Sequence, residues 1–219
     1  MHFWAFRGRR NTFILEHMMH TLVEQLVERG TLRTEHIIEA FEAVDRADFV
    51  PESSQTQAYE DRPLHIGYQQ TISQPTTVAF MLELLAPQKG DRILDIGSGS
   101  GWTTALLAHI VGNDGSVVGL ERVDELVEYG RKNLERYSFS WATIERAGAE
   151  LGAPKDAPFD RILVSASARS FPHEVLAQVR EGGVLVTPVR DAIWRVQKIE
   201  QQPVIEKFEG FIFVPLISE

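Results

Sequence analysis

The spacing of apolar residues predicts two helices near the start of the chain. Apolar side chains recur every three or four positions from Leu15 to Val27, and Gly30 marks the end of that helix. Thr34 is a suitable N-cap for a second helix, because its hydroxyl can accept a hydrogen bond from an unpaired backbone amide. The second apolar stripe is Ile37, Ile38, Phe41 and Val44. Both helices are therefore expected to turn one face to a core.

The segment 52–74 that follows is polar and shows no helical or strand period. A connection of this length without an element of its own is uncommon in a compact domain, and it is usually functional or disordered. Apolar and aromatic side chains recur within it, at Tyr59, Leu64, Ile66, Tyr68 and Ile72. This recurrence favours an ordered loop. A helix opened by proline is predicted from Pro75 to Leu85.

Strand and helix patterns alternate over the rest of the chain. The predicted strands are 92–96, 116–121, 141–145, 161–166 and 184–189, the last of which follows a turn at Gly182 and Gly183. The predicted helices are 102–111, 124–137 and 172–179. This alternation indicates a Rossmann-like α/β fold, a doubly wound and mostly parallel sheet with helices on both faces. Two strand patterns in succession, at 193–201 and from Val204 onward, predict an antiparallel C-terminal edge. We expect one compact unit, in which residues 1–75 form helices and a covering loop packed on a main domain of residues 76–219.

Composition limits the classes of function. The net charge of −9 argues against nucleic acid, because a protein that binds a duplex needs a basic face. The chain has no cysteine, so disulfides and thiolate chemistry are excluded, and its histidines show no spacing typical of a metal site. No apolar run is long enough to cross a bilayer or to form a secretory signal. We expect a soluble, cytoplasmic monomer with no metal, membrane or nucleic-acid partner.

A glycine-rich turn between the strand 92–96 and the helix 102–111 is the strongest chemical signal. It consists of Asp95, Ile96, Gly97, Ser98, Gly99, Ser100 and Gly101. Ligands of open α/β sheets bind at the carboxyl ends of the strands, where this turn lies. Glycines at such a place let a ligand approach the main chain closely. A tight corner without a ligand is the alternative, but three alternate glycines beside an acid favour a binding site.

The class of nucleotide can be argued from the spacing of the glycines. The dinucleotide fingerprint has a third glycine three positions after the second, and counting from Gly99 that position is Trp102. An indole there would hold the helix away from the strand, so NAD is not expected. A phosphate-binding P-loop is excluded too, because no Gly-Lys-Ser/Thr sequence follows the turn.

The pattern D-x-G-x-G-x-G is instead similar to the first motif of class I S-adenosylmethionine-dependent methyltransferases. The resemblance implies that Asp95 orients the methionine amino end of the cofactor, and that the backbone amides of the turn line it at Gly97, Ser98, Gly99 and Gly101. Glu121 ends the next strand, where a carboxylate can accept hydrogen bonds from both ribose hydroxyls, and Arg122 lies beside it. Taken alone, Glu121 could equally be an exposed charge at the end of a strand.

Several further segments together resemble the protein-L-isoaspartate O-methyltransferase family. They follow the family's order over nearly the whole chain after residue 20, and they are 22–26, 48–51, 58–61, 70–75, 94–101, 182–189 and 213–216. The most specific are Thr71-Ile72-Ser73-Gln74-Pro75 and Phe213-Val214-Pro215-Leu216. The resemblance implies methyl transfer to the α-carboxylate of L-isoaspartyl residues in damaged proteins or peptides. The ester then collapses to a succinimide, whose hydrolysis returns some normal aspartate.

The same resemblance implies roles for individual residues. Ser73 would lie beside the reacting carboxylate as the catalytic residue, and Ile72, Val214 and Pro215 would contact the substrate. The cofactor S-adenosyl-L-methionine, converted to S-adenosyl-L-homocysteine, would be contacted by Thr71, Ile72, Gly148 and Ala149 as well as by the glycine turn. For Ser73 the alternative is an N-cap of the helix opened by Pro75.

The chain departs from the family pattern at three positions. Gly148 stands where the family usually has an aspartate that contacts the adenine amino group, and Glu150 or a backbone carbonyl could replace that contact. His65 and Arg190 replace a usual proline and glycine, and Arg190 is either a solvated charge or an anion contact for substrate. Two alternatives stay open. One is methyl transfer to a different peptide or small-molecule carboxylate, and the other is a degenerate methyltransferase fold that only binds.

Overall fold

The computed structural model describes residues 9–200 and 202–215, and within these ranges it describes side chains from residue 18 onward. Leu15 of the first predicted stripe has no described side chain, and Leu216 of the C-terminal motif lies outside the described residues. Within the described part of the chain, no helix is long and apolar enough to cross a membrane.

The first two elements are the helices α1 (Arg9–Glu28) and α2 (Glu35–Ala43). After α1 the chain turns at Gly30, where φ is 68°. Val27 is 41% exposed, so the buried stripe of α1 is narrower than its sequence pattern indicated. Thr34 is the N-cap residue of α2, but its hydroxyl does not cap the helix. It donates instead to the carboxylate of Glu83, 2.8 Å away.

The segment 52–74 is ordered, but it is not the loop without elements that its pattern indicated. Two short 3₁₀ helices span Arg46–Phe49 and Glu52–Gln57, and a hairpin follows with strands β1 (Leu64–Gly67) and β2 (Gln70–Ile72). Strands of four and three residues are too short to show a clear alternation. The hairpin turn also lacks the usual glycine or asparagine, since Tyr68 and Gln69 adopt φ of 52° and 60°.

The rest of the chain forms the alternating sheet and helices. Its helices are α3 (Pro75–Leu85), α4 (Trp102–Val111), α5 (Asp124–Leu134) and α6 (His173–Ala177). Its strands are β3 (Arg92–Ile96), β4 (Ser116–Glu121), β5 (Ala142–Arg146), β6 (Phe159–Val164), β7 (Val179–Val189), β8 (Ala192–Gln197) and β9 (Val204–Glu209). The predicted strands and helices of this region are therefore all present, with some shifted ends.

The seven strands are arranged in the order β5-β4-β3-β6-β7-β8-β9. Neighbouring strands are parallel from β5 to β7, whereas β8 is antiparallel to both β7 and β9. This confirms the predicted class, a doubly wound, mostly parallel sheet with an antiparallel C-terminal edge. The chain enters the sheet at its centre with β3, adds β4 and β5 on one side, and then adds β6 and β7 on the other. The change of side opens a crevice at the carboxyl ends of β3 and β6.

Tertiary contacts shift two element boundaries from their predicted positions. α5 ends at Leu134 rather than at Tyr137, because the Tyr137 ring stacks on Phe49 with centroids 5.7 Å apart and its hydroxyl donates to Asp48. Gly183 lies inside β7 instead of in a turn before it, at an irregularity in the pairing with β6. A Cβ on Gly183 would lie 2.6 Å from the Asp160 carbonyl oxygen, so only glycine fits there.

Apolar residues are buried on both faces of the sheet. Ile93 belongs to a large core formed with the N-terminal helices, whereas the adjacent Leu94 belongs to a smaller core with Phe159 and Val175. Adjacent residues of a strand point to opposite faces, so these cores lie on opposite sides of the sheet. The large core includes Phe41 of α2, whose ring packs edge-on against Trp102 of α4.

Candidate functional site

A cleft lies at the carboxyl edge of the sheet and encloses about 1130 Å³ of free space, its open mouth included. Six segments line it, namely 70–73, the glycine turn with the start of α4, 120–123, 147–152, 165–166 and 214–215. The cleft therefore brings together the residues to which the sequence analysis assigned roles, with two exceptions. Asp95 and Gly101 are absent from its lining.

Gly101 serves the packing of α4. Its φ is 93°, and a Cβ at this position would lie 2.8 Å from Ile144 Cδ1 and 3.3 Å from the Gly130 carbonyl oxygen. A side chain would therefore push the start of α4 away from α5 and β5. This explains why glycine is required at a position that does not touch the cleft.

Hydrogen bonds inside the protein hold the glycine turn in shape. The amides of Gly97 and Ser98 both donate to the Leu120 carbonyl, at 2.8 and 3.0 Å, and the Gly101 amide donates to the Ser98 carbonyl at 2.8 Å. The Gly99 amide donates to Glu121 Oε2 at 2.9 Å. These four N–H groups are thus already paired, so a ligand would meet other main-chain atoms of the turn.

Glu121 is fixed at the wall of the cleft and is only 7% exposed. Besides the Gly99 amide, the amides of Arg122 and Val123 donate to its Oε1 at 2.6 and 2.9 Å. The alternative of an exposed charge at a strand end is therefore wrong. A carboxylate offers about four lone-pair directions, so this one can still accept a hydrogen bond from a ligand hydroxyl.

Asp95 is completely buried behind the cleft lining. The hydroxyls of Thr103 and Thr104 donate to its Oδ2 at 2.6 and 2.7 Å, whereas its Oδ1 has no hydrogen-bond partner in the described part of the chain. Burial raises the pKa of Asp95 to about 6, although the threonine hydroxyls oppose the shift. A buried carboxylate oxygen without a partner is stabilised when a positively charged group donates a hydrogen bond to it.

Ser73 lines the cleft and is not the N-cap of α3. The N-cap residue is Gln74, and the free end of the helix is capped by Asp61 from the preceding segment. Asp61 accepts from the Thr76 amide at 2.9 Å and from the Thr76 hydroxyl at 2.6 Å. The capping interpretation of Ser73 is therefore wrong, since another residue does that work.

The segment 147–152 forms another wall of the cleft. A Cβ added to Gly148 would meet nothing within 4 Å, and Glu150 is exposed beside it. Gln178 holds the segment from behind, donating to the Leu151 carbonyl and accepting from the Ala153 amide, both at 2.8 Å. Gly152 is required because a Cβ there would lie within the Gln178 amide group.

The C-terminal segment closes one side of the cleft. The Ser167 amide donates to the Val214 carbonyl at 2.8 Å, and Ser167 also forms a parallel bridge with Pro215. Arg190 lies nearby with φ of 57°, where its Nε donates to the Arg169 carbonyl. His65 is an exposed residue of β1 and does not line the cleft.

Sequence reasoning missed three residues that shape the cleft from behind, which are Arg46, Asp61 and Gln178. Asp61 belongs to the Ala58-Tyr59-Glu60-Asp61 motif, which marked it as a family residue without indicating its capping role. No local pattern could have indicated that Arg46 is buried, because its partners lie 12 to 27 positions away. Among the described residues, no three His, Asp or Glu side chains are grouped to hold a metal ion.

The fold and cleft together define a Rossmann-like α/β protein. Its candidate ligand site lies where the chain, after adding strands on one side of β3, begins to add them on the other side. The sequence model of the family described as Protein-L-isoaspartate(D-aspartate) O-methyltransferase (PCMT) matches residues 17–219. This chain belongs to that family, which confirms the resemblance found in its sequence.

Individual relatives agree with this assignment. A protein-L-isoaspartate O-methyltransferase of Methanopyrus kandleri is 41% identical over 204 residues, which cover 90% of this chain and 90% of that protein. One of Ignicoccus hospitalis is 37% identical over 94% of this chain and 100% of that protein. The crystal structure of a Plasmodium falciparum PCMT in complex with S-adenosyl-L-homocysteine matches with a TM-score of 0.82 and 26% identity, covering 91% of this chain and 98% of that one.

Proposed function

We propose that this protein transfers the methyl group of S-adenosyl-L-methionine to the α-carboxylate of L-isoaspartyl residues in damaged proteins or peptides, leaving S-adenosyl-L-homocysteine. One observation carries the proposal. A single cleft contains both the glycine turn with Glu121 and the family-specific residues Ser73, Val214 and Pro215. The residues proposed to bind the cofactor and those proposed to bind the acceptor thus line one cavity, as direct transfer of a methyl group requires.

Two walls of the cleft and one residue behind it fit the cofactor. The Glu121 carboxylate already accepts from three amides, so it would accept a hydrogen bond from one ribose hydroxyl, and the segment with Gly148 and Ala149 would face the adenine. The unpaired Oδ1 of Asp95, directly behind the glycine turn, matches a positively charged amino group. Thr71, Ile72 and Arg122 would complete the contacts. When bound, the cofactor supplies an electrophilic methyl carbon attached to a sulfonium.

The acceptor side requires positioning rather than a base. An α-carboxylate has a pKa of about 3.3–3.7, so it is already ionised at neutral pH and can attack directly. The Ser73 hydroxyl can donate to one carboxylate oxygen and leave the other free to attack the methyl carbon. Holding reacting atoms in line in this way contributes about 7–11 kcal/mol in favourable cases.

The hairpin and the C-terminal segment would exclude water from the reacting groups. β1 packs directly on the glycine turn, since a Cβ on Gly99 would lie 3.3 Å from Ile66 Cδ1. Residues 70–73 and 214–215 then border the same cavity. A carboxylate and a sulfonium lose opposite charges as they react, so a less aqueous environment favours the transfer.

The decisive experiment measures methyl incorporation into an isoaspartyl peptide and into its normal aspartyl twin. We expect label in the isoaspartyl peptide alone. Equal labelling of the two peptides would instead favour a methyltransferase for a different carboxylate. A degenerate fold that has lost the cofactor site, as the glycine at position 148 could allow, would show no heat on calorimetric titration with S-adenosylmethionine.

We further propose that the protein works as a cytoplasmic monomer without a nucleic-acid or membrane partner, with residues 1–75 covering the main domain of residues 76–219. The acidic balance of −9 and the lack of cysteine support this proposal. Light scattering coupled to size exclusion would test it, since a mass well above 24.7 kDa would contradict the monomer.

A further inference from the structure

Arg46 is a charged residue that the proposed reaction does not use, and it is only 2% exposed. Its guanidinium donates to four backbone carbonyls, those of Ala58 at 2.6 Å, Glu60 at 3.3 Å, Arg62 at 3.0 Å and Ser73 at 3.0 Å. In the described part of the chain it makes no hydrogen bond or ion pair with a carboxylate, and its Nε has no partner. Burial lowers the pKa of Arg46 to about 10, although the charge of Asp61 opposes this shift, and the guanidinium stays charged at neutral pH.

This arginine contacts two walls of the cleft. Through Nη2 it binds the carbonyl of Ser73, on the acceptor side. Its guanidinium carbon also lies 5.3 Å from the centroid of the Trp102 ring, and Trp102 begins α4 directly after the glycine turn. The cation therefore joins the segment that carries Ser73 to the segment that holds the cofactor.

The energetic cost of this arrangement argues for a role beyond filling space. Burying a charge without a hydrogen-bonded carboxylate costs free energy, and apolar residues of similar volume often stabilise a core as well or better. A methionine would fill the same space beside Trp102, but it would leave the bound carbonyls without a donor. What only arginine provides is a planar group with five donors that can hold several carbonyls in fixed relative positions.

We propose that Arg46 is a positioning residue that sets the place of Ser73 relative to the cofactor turn. This inference rests on the proposed methyl transfer. Arg46 does not line the cleft and touches no reacting atom, so it acts through the Ser73 main chain and the Trp102 ring. Ser73 follows the hairpin directly and precedes α3, and this contact ties the junction between them to the body of the protein.

The test compares Arg46→Met and Arg46→Lys with a matched control. Arg161 is a partly buried arginine, which binds Asp91 at 2.6 Å and the Leu85 carbonyl at 2.8 Å near the start of β6, at the opposite edge of the sheet. We expect Arg46→Met to lower kcat on an isoaspartyl peptide by about a hundredfold, as for a reacting group misplaced by about 1 Å, with little change in KM or in the affinity for S-adenosylhomocysteine. Arg161→Met should lower the melting temperature and leave kcat near the wild-type value.

Arg46→Lys keeps the charge but loses the planar fork, so we expect it to fold and still to lose most of the turnover. Normal kcat in a folded Arg46→Lys or Arg46→Met protein would overturn the inference. So would an equal loss of kcat in Arg161→Met, because the effect would then reflect general destabilisation.

Hydrogen exchange followed by mass spectrometry tests the positioning without any reaction. In Arg46→Met we expect faster exchange of residues 58–74 and unchanged exchange of the strand β3. Wild-type protection of 58–74 in this variant would contradict the inference. If the wild-type protein labels neither peptide of the aspartyl pair, the proposed function fails, and the exchange experiment alone still decides whether Arg46 orders this segment.

Discussion

The glycine turn and the segment 46–74 form parts of the same cleft, but they are stabilised by different kinds of contact. The turn is held by amides that donate to residues of its own loop or of the next strand, such as Leu120 and Glu121. The segment 46–74 is held by side chains that reach across it, such as Arg46 to Ser73 and Asp61 to Thr76. We call the glycine turn with Glu121 the proposed cofactor wall, and the segment 46–74 the proposed acceptor wall. The cofactor wall is held mainly by backbone amides of the turn, and the acceptor wall by side chains that bind distant backbone groups.

This difference predicts that substitutions in the two walls affect different measured quantities. Changes at the cofactor wall should act on cofactor affinity, because the wall itself makes the contacts. Changes at the acceptor wall should act on turnover or on stability, because that wall positions the acceptor carboxylate. Substitutions in each wall, with matched controls, test this separation.

Ser73→Ala removes the hydroxyl that we propose donates to the acceptor carboxylate. We expect kcat to fall by about a hundredfold, in the range found when one positioned donor is lost, with little change in cofactor affinity. Steady-state kinetics and calorimetry check this, and Ser140→Ala, which does not line the cleft, is the control. A large loss of affinity with normal turnover would mean that Ser73 belongs to the cofactor wall.

Glu121→Ala removes the carboxylate that we propose faces the ribose. We expect cofactor binding to weaken by about 1.5–3 kcal/mol, as for hydrogen bonds to a charged group. Isothermal titration with S-adenosylhomocysteine measures the change, and Glu145→Ala on the neighbouring strand β5 should leave the affinity unaltered. An unchanged dissociation constant for Glu121→Ala would contradict the ribose role.

Cofactor affinity should depend on pH through Asp95, whose pKa is raised to about 6 in the free protein. A positively charged amino group beside Asp95 favours its ionised form, so affinity should fall as the pH drops through 6, approaching about tenfold per pH unit. Titrations between pH 5 and 8 test this, and Asp95→Asn should remove the dependence. A flat profile in the wild-type protein would place the amino group elsewhere.

The same shift affects the stability of the free protein. The unfolded chain releases the Asp95 proton near pH 3.8, whereas the folded protein keeps it up to about pH 6. The contribution of this group to stability is therefore full below pH 3.8 and is lost as the pH rises through 6. Bound cofactor should oppose that loss.

Asp61→Ala removes the cap of α3 from the acceptor wall. We expect the free energy of unfolding to fall by about 0.5–2 kcal/mol, the usual range for a lost cap. Urea denaturation measures it, with Asp114→Ala as the control, since Asp114 forms an ion pair with Lys89 in an exposed position. Unaltered stability would show that the Asp61 contacts with Thr76 do not cap the helix.

Gly148→Asp should strengthen cofactor binding by about 0.5–1.5 kcal/mol, the net contribution of one hydrogen bond. The open space around Gly148 admits the side chain without a clash. Gly148→Ala separates the effect of the carboxylate from that of losing a glycine. If both variants bind the cofactor alike, the aspartate makes no adenine contact in this protein.

The cofactor wall could be predicted from sequence, and the acceptor wall only in part. Three alternate glycines after a strand, with acids at the ends of two neighbouring strands, form a local pattern whose geometry follows from parallel pairing. Ser73 was located by its family motif, not by any period. The hairpin around Tyr68 was missed because its strands are short and its turn residues are unusual. The burial of Arg46 depends on residues far along the chain, and no local pattern reports such contacts.

The shared core beneath the cleft has a consequence for how product leaves. Ile66 and Ile72 of the hairpin, Phe41 of α2 and Trp102 of α4 all belong to one continuous apolar core. A hinge that swung the N-terminal part away as a rigid body would expose that core to water at a large free-energy cost. Lifting only the hairpin tip at Tyr68 would expose less apolar surface and would need less free energy. The rate of product release should therefore depend on the stiffness of that turn rather than on a movement of the whole N-terminal part.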